Sequence, residues 1–370
     1  MPHPSNALRY HISFTTPEFT DIYINYWKVG TTQKQKSVYS DDTQQHTLQL
    51  LNMTAETDYR YEIVGEEGNC TYVSDTMSFS TGALPEGLPE INLPVDDFDF
   101  EGYLFFNSYQ PGGVFAMNSK GQIVWYELFE WAVKVGTLSP MNTYAGLLGN
   151  GNYIEKDFWG NELRHFRYLS DYYDVVHHEV FINADDQAVV LMDDYRSYDF
   201  SAIGGGTEDA VRGDAIVIFA KDGTEVWRWS IFDVTNPADD PNILATRTDW
   251  THSNSIAYDT DGHLLLSVRN FNQIWKINRQ DGSLMWRVGV NGDFQMDTDD
   301  YFYHQHAAHI SPNGNVMIFD NGKAGTANDR SRALSLHIDL MNMTASSEVK
   351  FELSEQYFSQ YQSNCTLEHV

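Results

Sequence analysis

Basic residues are scarce in this chain. Its 370 residues include 23 Lys and Arg against 52 Asp and Glu, a formal charge of −29. Such a field repels the phosphates of nucleic acids and the anionic face of a membrane, so neither is expected as a partner. Any anion site must be a local exception that brings its own positive groups. Cysteine is scarcer still. Cys70 and Cys365 stand alone, each in an Asn-Cys-Thr context; they could pair, but two thiols make no disulfide framework. Long apolar runs are absent, and none approaches the roughly 18–20 residues of a membrane-crossing helix. The opening MPHPSNALRY has no basic-then-apolar leader, so the expectation is a cytosolic protein or one whose leader was removed. Sequons at Asn52, Asn69, Asn342 and Asn364 are near their chance frequency and say little about export.

What the chain does have is strand-forming material. Hydrophobic residues make up 42% and aromatic ones 14%, enough for a large interior, and the length favours two domains. Residues 10–82 read as short strands (ISFTT, DIYINYW, HTLQLL, YRYEIV, MSFSTG) between polar turns, with Tyr59, Tyr61 and Ile63 on one face. A small β-sandwich is expected over 1–82. Its stretch from Met53 to Tyr59 resembles the fibronectin type III pattern, in which an apolar residue sits six before a tyrosine that locks a corner. Three prolines and several acids in ALPEGLPEINLPVDDFD mark 83–99 as an extended linker.

From 100 to 370 the chain repeats. SKGQIVW, KDGTEVW and QDGSLMW set Gly121, Gly223 and Gly282 each four residues before Trp125, Trp227 and Trp286, and an apolar strand precedes each glycine. The pattern is strand, tight glycine turn, strand, with the tryptophan packing between neighbouring units. A second repeat runs from His178 (HEVFINAD), His252 (HSNSIAYD) and His306 (HAAHISPN) into the strands QAVVL, GHLLL and GNVMI. Joined, the two repeats make four-stranded units of about 45–75 residues, a period of propellers and solenoids; antiparallel strands without helices favour the propeller. The expected fold is all-β: the N-terminal β-sandwich, then a six-bladed β-propeller. Its first blade, from GYLFFNS, lacks an inner strand, and its sixth has barely begun at YQSNCTLEHV.

The first strand of each blade lines a propeller's channel, so His178, His252 and His306 are expected to converge at one mouth. Arg269 closes the strand HLLLSVR, seventeen residues after His252, and a hairpin returns it beside that histidine. Three neutral imidazoles could hold a transition metal. The guanidinium argues against a cation there and for an anion with planar oxygens, such as phosphate, sulfate or carboxylate. Neither a metal nor a cofactor is therefore expected.

The segments DWTHSNSIAYDTDGHLLLSVRNFNQIWKINRQDGSLMWRVG, YHQHAAHISPNGNVMIFDNG and SRALSLHIDLMNMTA resemble the arylsulfotransferase family, most strongly over 175–350. The resemblance implies a six-bladed propeller that moves a sulfuryl group from an aryl sulfate to a phenol. No nucleotide sulfate donor is used, and the reaction passes through a sulfated histidine. By motif the nucleophile is His306, in the Gln-His pair. His252 and Arg269 hold the sulfuryl oxygens and His178 assists. Asn254 and His177 line the substrate, although His177 is expected on the opposite strand face. The partners implied are small phenols and aryl sulfates. The resemblance leans toward an exported protein, leaving a cytosolic one open. Two other readings stand beside it: a non-catalytic propeller that binds an anion or a partner protein, and a His-bound metal enzyme.

Overall fold

The computed structural model describes residues 2–3, 6–68, 70–88, 102–167, 176–324, 329–353 and 358–359. Most of the linker, the tail YQSNCTLEHV with its sixth blade, Asn69, Asn364, and Cys365 with its pairing to Cys70 lie outside the described residues. The molecule is all-β. Helical pieces among the described residues are single turns such as Ile243–Thr246, and no helix is long and apolar enough to cross a membrane.

The N-terminal sheet has seven strands. ISFTT and DIYINYW merge into one strand, Asn6–Lys28. Its first half pairs with Ser40–Leu50 and its second with Asp58–Glu67, so one strand serves both sides of a core that includes Ile12, Ile24, Leu48, Met53, Tyr59 and Phe79. Met53 and Tyr59 are buried, and the Tyr59 hydroxyl accepts the Thr54 N–H at 2.9 Å.

Five further antiparallel sheets follow in chain order. The first has three strands, Tyr103–Ser108, Gly113–Asn118 and Ile123–Leu128. The other four have four strands each, paired strictly in sequence. Gly121, Gly223 and Gly282 all have φ between +74° and +86°, the left-handed turn that glycine adopts without penalty. One packing expectation is corrected. Trp125 and Trp286 are buried, but Trp227 is only half-buried. Its neighbour Trp229, two residues on and so on the other strand face from Arg228, fills that interior and donates its indole N–H to the Gly282 carbonyl at 2.9 Å.

Contacts gather the chain into two compact units, Met1–Leu138 with Asn142–Asn150 and Ile154–Leu163, and Ser139–Met141 with Gly151–Tyr153 and Arg164–Val370. That division falls inside the first four-stranded sheet. The second unit holds the last three sheets. Their first strands, Val176–Ile182, Ser253–Tyr258 and His306–Ile310, touch in succession.

Candidate active site

Each of those three first strands is irregular where its histidine stands. The pairing shifts between Val176 and Val180, between Ser253 and Ser255, and between His306 and His309. The backbone is left-handed at His178 (φ +54°), His252 (φ +47°) and Ala307 (φ +56°). A bulge re-aims side chains at the mouth of a strand. Here three bulges at matched repeat positions turn imidazoles toward one another. The His178 and His252 rings meet at 4.9 Å between centroids, and His306 lies within electrostatic reach of both and of Arg269.

His306 is buried. Its Nδ1 is 2.7 Å from Asn321 Oδ1 and 3.0 Å from the His304 carbonyl. The Asn321 amide cannot be reversed without loss, because its Nδ2 donates to the Ser359 carbonyl at 2.8 Å. Facing two acceptors, Nδ1 carries the hydrogen, and the Nε2 lone pair is left for chemistry. Burial, opposed by the Asn321 contact and reinforced by the Arg269 charge, lowers the ring's pKa, so the neutral form is favoured.

His252 is backed by a carboxylate. Its Nδ1 lies 2.7 Å from Asp249 Oδ2, and the other Asp249 oxygen is hydrogen-bonded by Arg212. Burial alone would raise the Asp249 pKa, but the His252 and Arg212 contacts take it down to about 2. Arg269 starts a single 3-10 turn, Arg269–Phe271, just beyond the strand Leu264–Val268. Ser253 pairs with Val268, which puts Arg269 beside His252 as hairpin logic requires. Arg269 donates to Asn270 Oδ1 at 3.0 Å.

His178 differs in character. Burial, then the nearby rings of His177, His252 and His306, push its pKa down to about 3. The expectation that His177 faces away is overturned: its Nδ1 is 2.9 Å from the His178 Nδ1. Alternation of faces assumes extended φ at both residues, and the left-handed turn at His178 breaks it. Behind His177 lie two carboxylates, with Nε2 at 3.3 Å from Asp214 and 3.5 Å from Asp193. With the His177 hydrogen on Nε2 toward them, its Nδ1 accepts from His178 Nδ1–H.

Asn254, expected to touch substrate, is buried, and its Nδ2 donates to the Gln305 carbonyl at 2.7 Å. It ties the strand of His252 to that of His306. Gln305, of the Gln-His pair, points inward and donates to Ser267 Oγ and the Gln273 carbonyl. Sequence reasoning named no role for Asn321, Asp249, Asp214, Asp193 or His304. Asn321 had a signal, because it lies in the Phe-Asp-Asn-Gly motif.

The match with known proteins is at the family level. Residues 90–369 match the family described as Arylsulfotransferase (ASST). No curated protein matches the chain. Solved structures similar to it include a protein of unknown function from Bacteroides caccae, at 12% identity over 69% of this chain and 73% of that one, TM-score 0.42. A streptogramin B lyase is 11% identical over 93% and 88%, TM-score 0.42. Virginiamycin B lyase from Staphylococcus aureus is 11% identical over 84% and 95%, TM-score 0.37. The family match spans three-quarters of the sequence and contains every residue of the histidine cluster, so this chain belongs to the arylsulfotransferase family.

Proposed function

We propose that the protein transfers a sulfuryl group from an aryl sulfate to a phenolic acceptor through a sulfohistidine at His306, without a nucleotide donor. The five repeat sheets are blades of a propeller in this reading, and the N-terminal sheet is a fibronectin-like module. The observation that carries it is the committed Nδ1 of His306, which leaves Nε2 as a neutral nucleophile beside a guanidinium.

Sulfuryl transfer, like phosphoryl transfer, has a loose transition state with charge on its peripheral oxygens. The Nε2 lone pair attacks sulfur as the sulfur–oxygen bond to the aryl group breaks. The electron pair of that bond leaves with the phenolate. Arg269 holds the peripheral oxygens. His252, supported by the Asp249 carboxylate, is suited to deliver the proton to the leaving oxygen. Sulfation at Nε2 puts positive charge on the ring, and the Nδ1–H to Asn321 bond strengthens accordingly. An acceptor phenol then returns its proton to His252 and takes the sulfuryl group, which restores His306.

Mixing enzyme with 4-nitrophenyl sulfate and no acceptor tests this. One equivalent of 4-nitrophenol is expected as a burst, and the protein is expected to gain the mass of one sulfuryl group. His306→Ala should give neither. A wild-type protein that binds the ester without a burst would instead be an anion-binding propeller. A His178→Ala variant that loses the burst while His306→Ala keeps it would move the nucleophile to the other strand.

A further inference from the structure

His177, Asp193 and Asp214 stand on three consecutive strands of one sheet, Val176–Ile182, Ala188–Tyr198 and Asp209–Phe219. Asp193 and Asp214 are direct cross-strand partners, and both are buried. Two like charges placed opposite each other destabilise a sheet unless something lies between them. The compensation from protein groups is partial. Arg212 Nε is 3.7 Å from Asp193 and its terminal nitrogen is spent on Asp249. On Asp214, Oδ2 accepts from the Thr251 hydroxyl and the Ser253 N–H, while Oδ1 is turned toward His177.

The imidazole completes the picture. His177 Nε2 is buried and points at both carboxylates, with no hydrogen bond of good geometry to either. Its distances, 3.3 Å to Asp214 and 3.5 Å to Asp193, are too long for good hydrogen bonds. They match a different geometry. Ligands about 2.0–2.2 Å from a tetrahedral zinc lie about 3.3–3.6 Å from one another. The three donor atoms all fall within 4.8 Å of one another. We propose that His177, Asp193 and Asp214 form a binding site for one divalent transition metal ion, Zn2+ by its donor set of one imidazole and two carboxylates, with a fourth position left for water. The ion neutralises the cross-strand acid pair and gives Nε2 a direct ligand bond.

The site lies behind the histidine cluster, so it leaves the place of the sulfuryl group clear. A metal on His177 Nε2 moves that ring's hydrogen to Nδ1, where it donates to His178 Nδ1. A neutral His178 then carries its own hydrogen on Nε2, as a donor. This consequence, unlike metal binding itself, matters for catalysis only if the proposed sulfuryl transfer holds.

Full-length protein purified without a metal-affinity tag and stripped with chelator is titrated with Zn2+ in a calorimeter. One equivalent is expected to bind tightly. Asp193→Asn, a near-isosteric change, and His177→Ala should each weaken it by about 100-fold or more, with melting temperatures confirming that both variants fold. His252→Ala and His306→Ala should bind like wild type. No tight equivalent in the wild type overturns the proposal. So does one that survives in Asp193→Asn and His177→Ala, or one lost with His252 or His306, which would place the ion in the histidine trio. Nitrogen-15 spectra of the imidazoles read the second step. Zn2+ should move the His178 hydrogen from Nδ1 to Nε2, and an unchanged tautomer overturns that step.

Discussion

The tautomer of one imidazole decides the proposed chemistry, and Asn321, the nearer of its two acceptors, does most to set it. Removing the amide in Asn321→Ala lets the His306 hydrogen move to Nε2, where it blocks attack. The burst rate should fall by about two to four orders of magnitude, in the range seen when a histidine loses the group that fixes its tautomer. The same contact raises the pKa of His306 against the effect of burial. The variant's pH plateau should therefore reach lower pH while its height drops, a split that simple misfolding does not produce. For the wild type the acid limb of the burst-rate profile should lie below the ordinary histidine value near 6.5, because the lowered pKa keeps the nucleophile neutral. Arg269→Lys keeps the charge and loses the planar fork. It should slow sulfation by about two to three orders of magnitude, as for the loss of one preorganised donor, and His252→Asn should fall in the same range. Stopped-flow records of phenol release across pH measure all of these.

At the level of strands, buried titratable groups act on the fold through pH. His178 stays neutral in the fold down to about pH 3, whereas unfolded it takes a proton near 6.5. Between those values the unfolded chain binds more protons, so stability falls as pH drops from 6.5 toward 3. His178→Gln should flatten that part of a melting-temperature profile. Glu179, next along the same strand, has the opposite sign. It is half-buried, with backbone contacts to Val180 and Ile256, and desolvation pushes its pKa up to about 8. Its stabilising contribution is present below the unfolded value near 4.3 and is lost as pH rises toward 8. Glu179→Gln should raise the melting temperature at pH 9 and change little at pH 4, and an equal shift at both would contradict burial as the cause. These strands were readable from sequence, because the glycine-to-tryptophan spacing and matched histidines report local turns and register. The bulges were not. The shift between Val176 and Val180 and the left-handed His178 show only in the folded strand, and for that reason His177 was assigned to the wrong face. Asn254 was misread for a related cause: a polar residue beside a site histidine looks like a ligand contact until a neighbouring backbone carbonyl is found to need it.

Over the whole molecule the acidic excess and the candidate site pull in opposite directions. The formal charge of −29 repels an aryl sulfate at long range, while Arg269 attracts it only at close quarters. Raising ionic strength from about 0.01 to 0.15 M shortens the screening length from about 30 to 8 Å. The second-order rate of the burst should therefore rise with salt, while transfer to a neutral phenol should not change. A burst rate that falls with salt would mean that the local positive groups dominate the approach. Asp249, Asp214 and Asn321 escaped sequence reasoning at this scale, since each comes from a turn or outer strand whose distance to the histidines only the assembled sheets determine. One last link has a consequence in time. Asn321 is held by the Ser359 carbonyl, 38 residues further along the chain. Ser359 leaves the ribosome after every strand of the fifth repeat sheet. A chain stalled before Ser359 keeps its histidines but lacks the carbonyl that holds Asn321, so under the proposed mechanism it should form no sulfohistidine.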